Sequence, residues 1–582
     1  MRLVLAASSA ADSPESMPLG ALCVAAALRA RLGLAGLDVD VVEGHPPRDG
    51  SPASAEADGL ELASRIASLG PDLVGLSVYS WNRESMAAAA RALRKSAPGA
   101  TVFAGGPEAT ADPASLIAQA GLDFAIVGEG ESATCAAVEA LVVAARGEAA
   151  APALERVPGV ALPGALVSRA PDEDCAALVS PWLSGTADPR GRGGDVLWEL
   201  ARGCPFKCAY CYESKGRSGI RPFPMERLEA ELDLFVGSGV RYAFVLDPTF
   251  DADRERAAAV LDLLRAKAPG IRWKFEVRAE LLDRALVRRF ASLDCSLQIG
   301  LQSARPETLE LVGRPGFDRR AFARKVAALG AAGVTFGLDL IYGLPGDGLV
   351  QLEDSLDFAL GLEPNHLDVF PLALLPGTEL ADRAAELGIV ADGKPPYLVR
   401  STREMTEGDL ASAAALADAC DRFYSAGRAV GWFRAVLAPL RQRPSAFLRS
   451  FAEWLAGDAP SGADGADRGR PIPGSRALEA EQLGYLERAY SSARLDRLLP
   501  ALRDLVRLHG AWARALAEGE ETELDLTYDA EEALGAASSL EAFARAARPR
   551  PFSVRVVPDD EEGARIVAAR SAPRAASRRR RA

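Results

Sequence analysis

The strongest constraint on this chain is an alternation of short apolar runs with helical stretches that occurs twice along its length. In the first pass, runs at 3–6, 39–42, 73–78, 101–104 and 124–127 have strand character, while 21–32, 60–69, 85–95 and 113–120 have helical character. Such alternation predicts an α/β doubly wound parallel sheet, whose strands are covered on both faces by the intervening helices. The second pass has strands at 196–201, 242–246, 273–277, 297–300, 335–341 and 367–370, with helices such as 225–236, 254–266 and 321–332. Six βα units predict a partial TIM-type (β/α)6 barrel. Both architectures place their chemistry at the carboxyl ends of parallel strands, so the residues just after each run are the informative ones.

A chain of 582 residues is too long for one core. We expect a Rossmann-like domain over 1–141, a connection over 142–190 where Pro, Gly and Asp are scattered without periodicity, and the barrel over 191–380. A mainly helical accessory domain follows over 381–570, with a flexible loop at 456–474 and candidate strands at 523–528 and 552–557. The basic tail at 571–582 has no interleaved aromatics and reads as a disordered solvated end. A net charge of −13 argues against a general nucleic-acid binder. No stretch approaches the roughly 18 uncharged apolar residues that span a bilayer. The start, Met1-Arg-Leu-Val-Leu-Ala, reads as a first strand and not a signal peptide, so a cytoplasmic, reducing compartment is expected.

Directly after the first barrel strand, Cys204, Cys208 and Cys211 stand at the spacing C-x3-C-x2-C. Three thiolates leave one iron of a cubane cluster open to a ligand that is not protein. Zinc is disfavoured, because a fourth ligand is missing and the three histidines, at 45, 366 and 509, are remote in sequence. Cys23, Cys135, Cys175, Cys295 and Cys420 read as buried small hydrophobes and are too sparse for a disulfide scaffold. The loop resembles that of radical S-adenosylmethionine (radical SAM) enzymes. That resemblance implies a [4Fe-4S] cluster whose open iron chelates SAM, cleavage of SAM to a 5′-deoxyadenosyl radical, and a place for Tyr210 beside the adenine.

In the first domain the distinctive loops follow strands: Ser77-Val-Tyr79-Ser-Trp81-Asn82, Gly105-Gly106-Pro-Glu-Ala-Thr110 and Gly128-Glu129-Gly130-Glu131. Glycines there allow close approach of backbone to a large ligand. Their order is similar to the cobalamin-binding domain that precedes the barrel in one class of radical SAM enzymes, which implies cobalamin at Ser77, Tyr79, Trp81, Gly105, Gly106, Gly128, Glu129 and Gly130. The D-x-H-x-x-G motif of the cobalamin mutases is absent, and His45, in Glu43-Gly-His-Pro-Pro-Arg48, reads as a loop residue. Cobalt would then have no histidine below it; the loop at 79–83 would cover that face, with Arg83 nearby.

Polar residues also gather at the barrel strand ends: Asp247, then Glu276 and Arg278, then Gln298 and Gln302, and Asp339 before Gly343-Leu-Pro-Gly346. A buried charge there needs a partner or a ligand, so an internal ion-pair network is the alternative reading of each. The run Gly300-Leu-Gln-Ser303 with Leu309-x4-Arg314 resembles radical SAM enzymes of the coproporphyrinogen dehydrogenase type. The resemblance implies that Arg314 faces the methionyl carboxylate, that Gln302 and Asp339 take the ribose hydroxyls, and that Asp247 receives the amino group.

Together these features predict a cobalamin-dependent radical SAM enzyme, a methyltransferase acting on an unactivated carbon of a small molecule or peptide. It would need a low-potential electron donor such as flavodoxin or ferredoxin. A cyclase or rearrangement enzyme with the same cofactors is the first alternative. A non-catalytic iron–sulfur electron-transfer or sensor protein is the second, against which the ribose and carboxylate partners argue. Methylthio transfer to RNA would require further cluster cysteines in the first domain, a set that Cys23 and Cys135 do not form.

Overall fold

The computed structural model describes residues 1–9, 16–33, 36–44, 51–144, 150–165, 169–191, 193–213, 219–457, 472–559 and 563–568. His45, most of the expected loop at 456–474 and the basic tail lie outside the described residues. The first sheet contains β1 (Arg2–Ser8), β2 (Asp38–Gly44), β3 (Leu73–Ser77), β4 (Thr101–Gly105), β5 (Phe124–Ile126) and β6 (Val160–Ala161), in the order β2-β1-β3-β4-β5-β6. The first five strands are parallel; β6 is antiparallel. Alternate residues of β1 face opposite cores. Val4 and Ala6 pack with Leu62, Ile66 and Met86, while Leu3 and Leu5 pack with Ala25, Leu28 and Val138. The order reverses between β1 and β3, and a crevice opens at such a switch point.

The stretch expected to be a plain connection over 142–190 contributes β6 to this sheet. A two-residue strand has no periodicity to read, and its place is set by pairing with β5.

The second sheet begins with β7 (Asp195–Trp198); the short ribbon β8 (Ala201–Arg202) and β9 (Arg221–Pro222) then flanks the cysteine loop. The sheet continues through β10 (Tyr242–Val245), β11 (Arg272–Val277), β12 (Cys295–Gln302), β13 (Thr335–Tyr342) and β14 (His366–Pro371). Its order is β14-β13-β12-β11-β10-β7, parallel throughout, which is the expected partial barrel. Trp198, Trp273 and Phe275 of the sheet form a buried aromatic layer with Phe290, the last residue of the helix Arg284–Phe290. Lys274, Glu276, Gln298, Asp339 and Asp368 are the alternating, partly accessible residues of β11–β14 and turn to the lumen.

At the β14 edge, the Ser425 hydroxyl accepts from the Leu367 N–H (2.9 Å) and donates to its carbonyl (3.0 Å). This side chain satisfies the strand's outer backbone, and the sheet ends there. A small ribbon of β15 (Val390–Ala391) and β16 (Val399–Ser401) follows. The helices Glu407–Cys420, Pro444–Gly457, Ser475–Ser492 and Leu499–Glu518 come next, and Phe423, Phe447 and Phe451 extend the barrel core into them. An antiparallel sheet of β17 (Thr522–Leu526), β18 (Phe552–Asp559) and β19 (Gly563–Ala568) closes this part; its third strand was not among the expected elements. Among the described residues no helix is long and apolar enough to cross a membrane.

Candidate functional site

The cysteine loop leaves β8 and is fastened to the turn at 309–314, which ends the short helix Pro306–Leu311 after β12. Ala209 N donates to Val312 O (2.8 Å), Leu380 N donates to Ala209 O (2.8 Å), and Cys211 N donates to Cys208 O (3.0 Å). Gly313, at φ +67°, lies so close that a Cβ would stand 2.5 Å from Lys207 O. Tyr210, expected beside an adenine, packs on Val312 and Leu344, and its hydroxyl meets the Arg314 guanidinium. Cys204 Sγ is 3.7 Å from the Thr249 hydroxyl. Burial, and then repulsion from Cys208 and Cys204, pushes the Cys211 thiol up to about 11. Among the described residues no three His, Cys, Asp or Glu side chains are gathered closely enough to hold a single metal ion, so the three thiols share a loop without standing in ligating positions. The chemistry of this donor set, three thiols on one loop, fits a cubane cluster.

Next to the loop, the β12 bulge between Gly300 and Gln302 turns Gln302 to φ +66°. Its Oε1 is buried without a partner, and so is Arg314 Nε, although Arg314 also donates to Gly300 O and lies 3.7 Å from Glu280. Buried polar atoms without partners mark a place for a polar ligand. Both are among the residues expected to meet SAM, so these two fit that group.

Arg278, gathered with Glu276 at the end of β11, has partners within the protein. Its guanidinium covers the Phe206 ring at 3.9 Å and lies 3.6 Å from Glu280, so it braces the cysteine loop from the barrel side. Deeper in the lumen, Glu276 is pushed up by burial, and Asp339 is pushed up to about 7 by burial and by the charges of Asp368 and Glu276.

Asp247 sits at the root of the loop. Its Oδ1 accepts from Leu200 N (2.8 Å) and Ala201 N (3.1 Å), and it lines a small cavity with Arg256 that is separate from the large one described below. Burial pushes its carboxyl up to about 7 against those two hydrogen bonds. A carboxyl raised in the fold contributes stability that is fully present below its unfolded pKa of about 4 and is lost as pH rises through about 7. Asp251 and Asp339, also near 7, act with the same sign. Asp247→Asn keeps the accepting oxygen and removes the ionisation. Urea midpoints of the ligand-free variant should therefore fall less between pH 4 and pH 8 than those of the parent; parallel curves would refute this account of Asp247.

A cavity of about 770 Å³ opens between the two sheets. Its first-sheet wall is made by Ser77, Tyr79, Trp81, Gly105, Gly106 and the 128–131 loop, that is, by the ends of β3, β4 and β5. Tyr79 and Trp81 stack at 4.3 Å and 12°, and the Trp81 indole N–H donates to Ser8 O (3.2 Å), so a flat aromatic face is fixed in the crevice. Gly106, at φ +101°, passes close enough to β3's end that a Cβ would be 2.7 Å from Val78 O. A wide crevice with a flat aromatic wall and bare backbone at its strand ends fits a large planar ligand such as cobalamin. The second-sheet wall includes Leu197, Glu199, Arg202, Gly203, Tyr212 and Glu213, which border the cysteine loop.

The glutamates of the Gly128-Glu129-Gly130-Glu131 loop turn to arginines of the barrel. Glu131 meets Arg202 at 2.6 Å, and Glu129 pairs with Arg221. Glu129 lines the cavity, but its carboxylate is an inter-sheet tie. Arg83 is likewise occupied: it pairs with buried Glu108 (2.7 Å), to which Tyr397 also donates (2.6 Å), and it does not line the cavity. Sequence spacing carries no signal for the ties from Arg202 to Glu131, from Arg221 to Glu129 and from Tyr397 to Glu108, because each joins residues far apart along the chain; only the Arg202–Glu199 pair is local.

Residues 198–359 match the Radical SAM superfamily, and residues 4–138 match the B12 binding domain. The chain is 30% identical over 351 residues to the 2-(S-pantetheinyl)-carbapenam-3-carboxylate methyltransferase of Streptantibioticus cattleyicolor, covering 56% of this chain and 50% of that protein. It is 26% identical over 377 residues to the cobalamin-dependent radical SAM methyltransferase TokK of Streptomyces tokunonensis, covering 60% of this chain and 53% of that protein. The chain thus spans about half the length of these relatives. In fold it is similar to the cobalamin-dependent S-adenosylmethionine radical enzyme OxsB with aqua-cobalamin bound, with a TM-score of 0.55 at 13% identity, over 94% of this chain and 84% of that one.

Proposed function

Because the chain joins a B12 binding domain to a domain of the radical SAM superfamily, we propose that it is a cobalamin-dependent radical SAM methyltransferase acting on an unactivated carbon of a small molecule or peptide. One cavity supports this reading: it runs from Tyr79, Trp81 and Gly106 on the first sheet to Gly203, Tyr212 and Glu213 beside the cysteines. A substrate held there would touch both walls.

When bound, SAM on a [4Fe-4S] cluster supplies a carbon-centred radical and cobalamin a methyl group, chemistry outside the reach of side chains. The chain's own residues bind, orient and exclude solvent. Cys204, Cys208 and Cys211 would hold the cluster, Gln302 and Arg314 would answer the polar ends of SAM, and Glu276 and Asp339 lie on the lumen side of the same strands. Tyr79, Trp81 and the glycines at 105, 106, 128 and 130 would cradle cobalamin. Arg202 and Arg221 hold the two walls at a fixed separation, which is the positioning that a transfer between bound groups requires. The protein would work in the cytoplasm with a low-potential donor such as flavodoxin or ferredoxin.

Anaerobically reconstituted protein should carry about four irons, lost in Cys208→Ala, and should bind cobalamin with a shift in its visible absorbance. Incubation with methyl-labelled SAM and candidate substrates should then transfer the label. Zinc in place of iron would end the reading; an unlabelled, rearranged product would replace methyl transfer by rearrangement.

A further inference from the structure

Inside the barrel, one amide joins three strands. Gln298 on β12 donates through Nε2 to Asp339 Oδ1 on β13 and to Asp368 Oδ2 on β14 (3.2 Å), while its Oε1 lies 2.6 Å from His366 Nε2. An amide oxygen only accepts, so His366 must carry its proton on Nε2. Burial lowers the pKa of His366, which keeps the ring neutral with that single proton available.

His366 stands at the start of β14, two strands away from Gln298, and register explains how it reaches. Gln298 pairs with Gly337, and Gly337 pairs with His366. A Cβ on Gly337 would lie 2.0 Å from His366 Nε2 and 2.3 Å from Cε1, so the ring occupies the space that any other residue of β13 would fill. The bare backbone at Gly337 is thus the opening through which the ring crosses β13.

The direction of the amide matters. Turned over, Gln298 would present its oxygen to the carboxylates of Asp339 and Asp368 and its NH2 to a histidine nitrogen. The His366 N–H selects the orientation that gives Asp339 a fixed donor. We infer that His366 is a positioning residue: through Gln298 it holds the Asp339 carboxylate in the geometry that receives the ribose hydroxyls of SAM, and so sets the affinity of the barrel for SAM. This rests on the radical SAM reading of the site.

The test is calorimetric titration of SAM into anaerobically reconstituted protein, with iron content and thermal midpoint measured on each variant. His366→Ala should weaken SAM binding about tenfold, the loss expected when a hydrogen bond to a charged group is no longer fixed. Gly337→Ala, which leaves the histidine in the sequence but evicts its ring, should do the same. His366→Gln, whose amide N–H can donate to Gln298 Oε1, should bind SAM close to the parent at unchanged iron content. Parent-like affinity in both His366→Ala and Gly337→Ala would overturn the inference, as would His366→Gln as weak as His366→Ala, which would make the ring a space-filler only. Parent protein that holds its iron but binds no SAM would overturn the SAM reading of the site itself, and this inference with it.

Discussion

Arg202→Ala is expected to destabilise the protein by about 3–5 kcal/mol, the cost of leaving buried charges without their partner, and to abolish tight cobalamin binding. Arg202 is 12% exposed and stands among three carboxylates, 2.6 Å from Glu131, 3.0 Å from Glu199 and 3.9 Å from Glu129. Those charges hold the guanidinium firmly in its charged form. Glu129 retains Arg221 when Arg202 is removed, but Glu131 and Glu199 are left facing each other across the cavity. Their repulsion acts between the two sheets, so it should widen the space in which the two walls must act together. Arg202→Lys offers one compact charge where a planar fork met several oxygens, so an intermediate loss is expected. The defect of the alanine variant should shrink as pH falls and the stranded carboxylates take up protons. Chemical denaturation and cobalamin titration at pH 8 and pH 5 measure all of this. A loss below about 1 kcal/mol with unchanged cobalamin affinity would show that the tie is only a surface pair.

What could be read in the sequence was whatever repeats locally. Period-two alternation places Gln298 and Glu276 on one face, and the C-x3-C-x2-C loop is visible as a string. The resemblance carried by Gly300-Leu-Gln-Ser303 and Leu309-x4-Arg314 also pairs Gln302 with Arg314, and the structure leaves a polar atom without a partner on each of them. Partnerships between distant segments were not legible. Glu129 was expected to contact the cofactor because it lies in a glycine-rich loop, but a carboxylate on such a loop goes to the nearest buried cation, and that is Arg221, 92 residues away. Arg83 was expected near the face of cobalt covered by the loop at 79–83; its guanidinium pairs with the buried carboxylate of Glu108, since a buried charge needs a partner. His366 looked like an isolated histidine; only the register that sets it against Gly337 makes it part of the barrel's interior network. Asp247 was expected to receive the amino group of SAM, and the backbone N–H groups of Leu200 and Ala201 already donate to one of its two carboxylate oxygens.

Gly313→Ala should reduce the iron content of reconstituted protein to less than half and remove SAM binding, with little change in the ligand-free fold. The substitution has two separate costs. A left-handed φ costs a non-glycine residue about 1–2 kcal/mol. The added Cβ also meets the Lys207 carbonyl at 2.5 Å, an overlap between two backbones that no side-chain rotation relieves. Either the turn or the loop must move. Both carry function: Lys207 precedes Cys208, and Gly313 precedes Arg314, whose guanidinium lies against the hydroxyl of Tyr210 in the loop. A shift of a few tenths of an ångström would therefore change the spacing between the thiols and the partner of SAM at the same time. Gly239→Ala separates the two costs, because Gly239 has φ +75° and nothing within 4 Å of its Cβ position. That variant should lose some stability and keep its iron. If Gly313→Ala keeps parent levels of iron and SAM affinity, the loop yields freely, and the turn at 309–314 does not hold the cysteines in place.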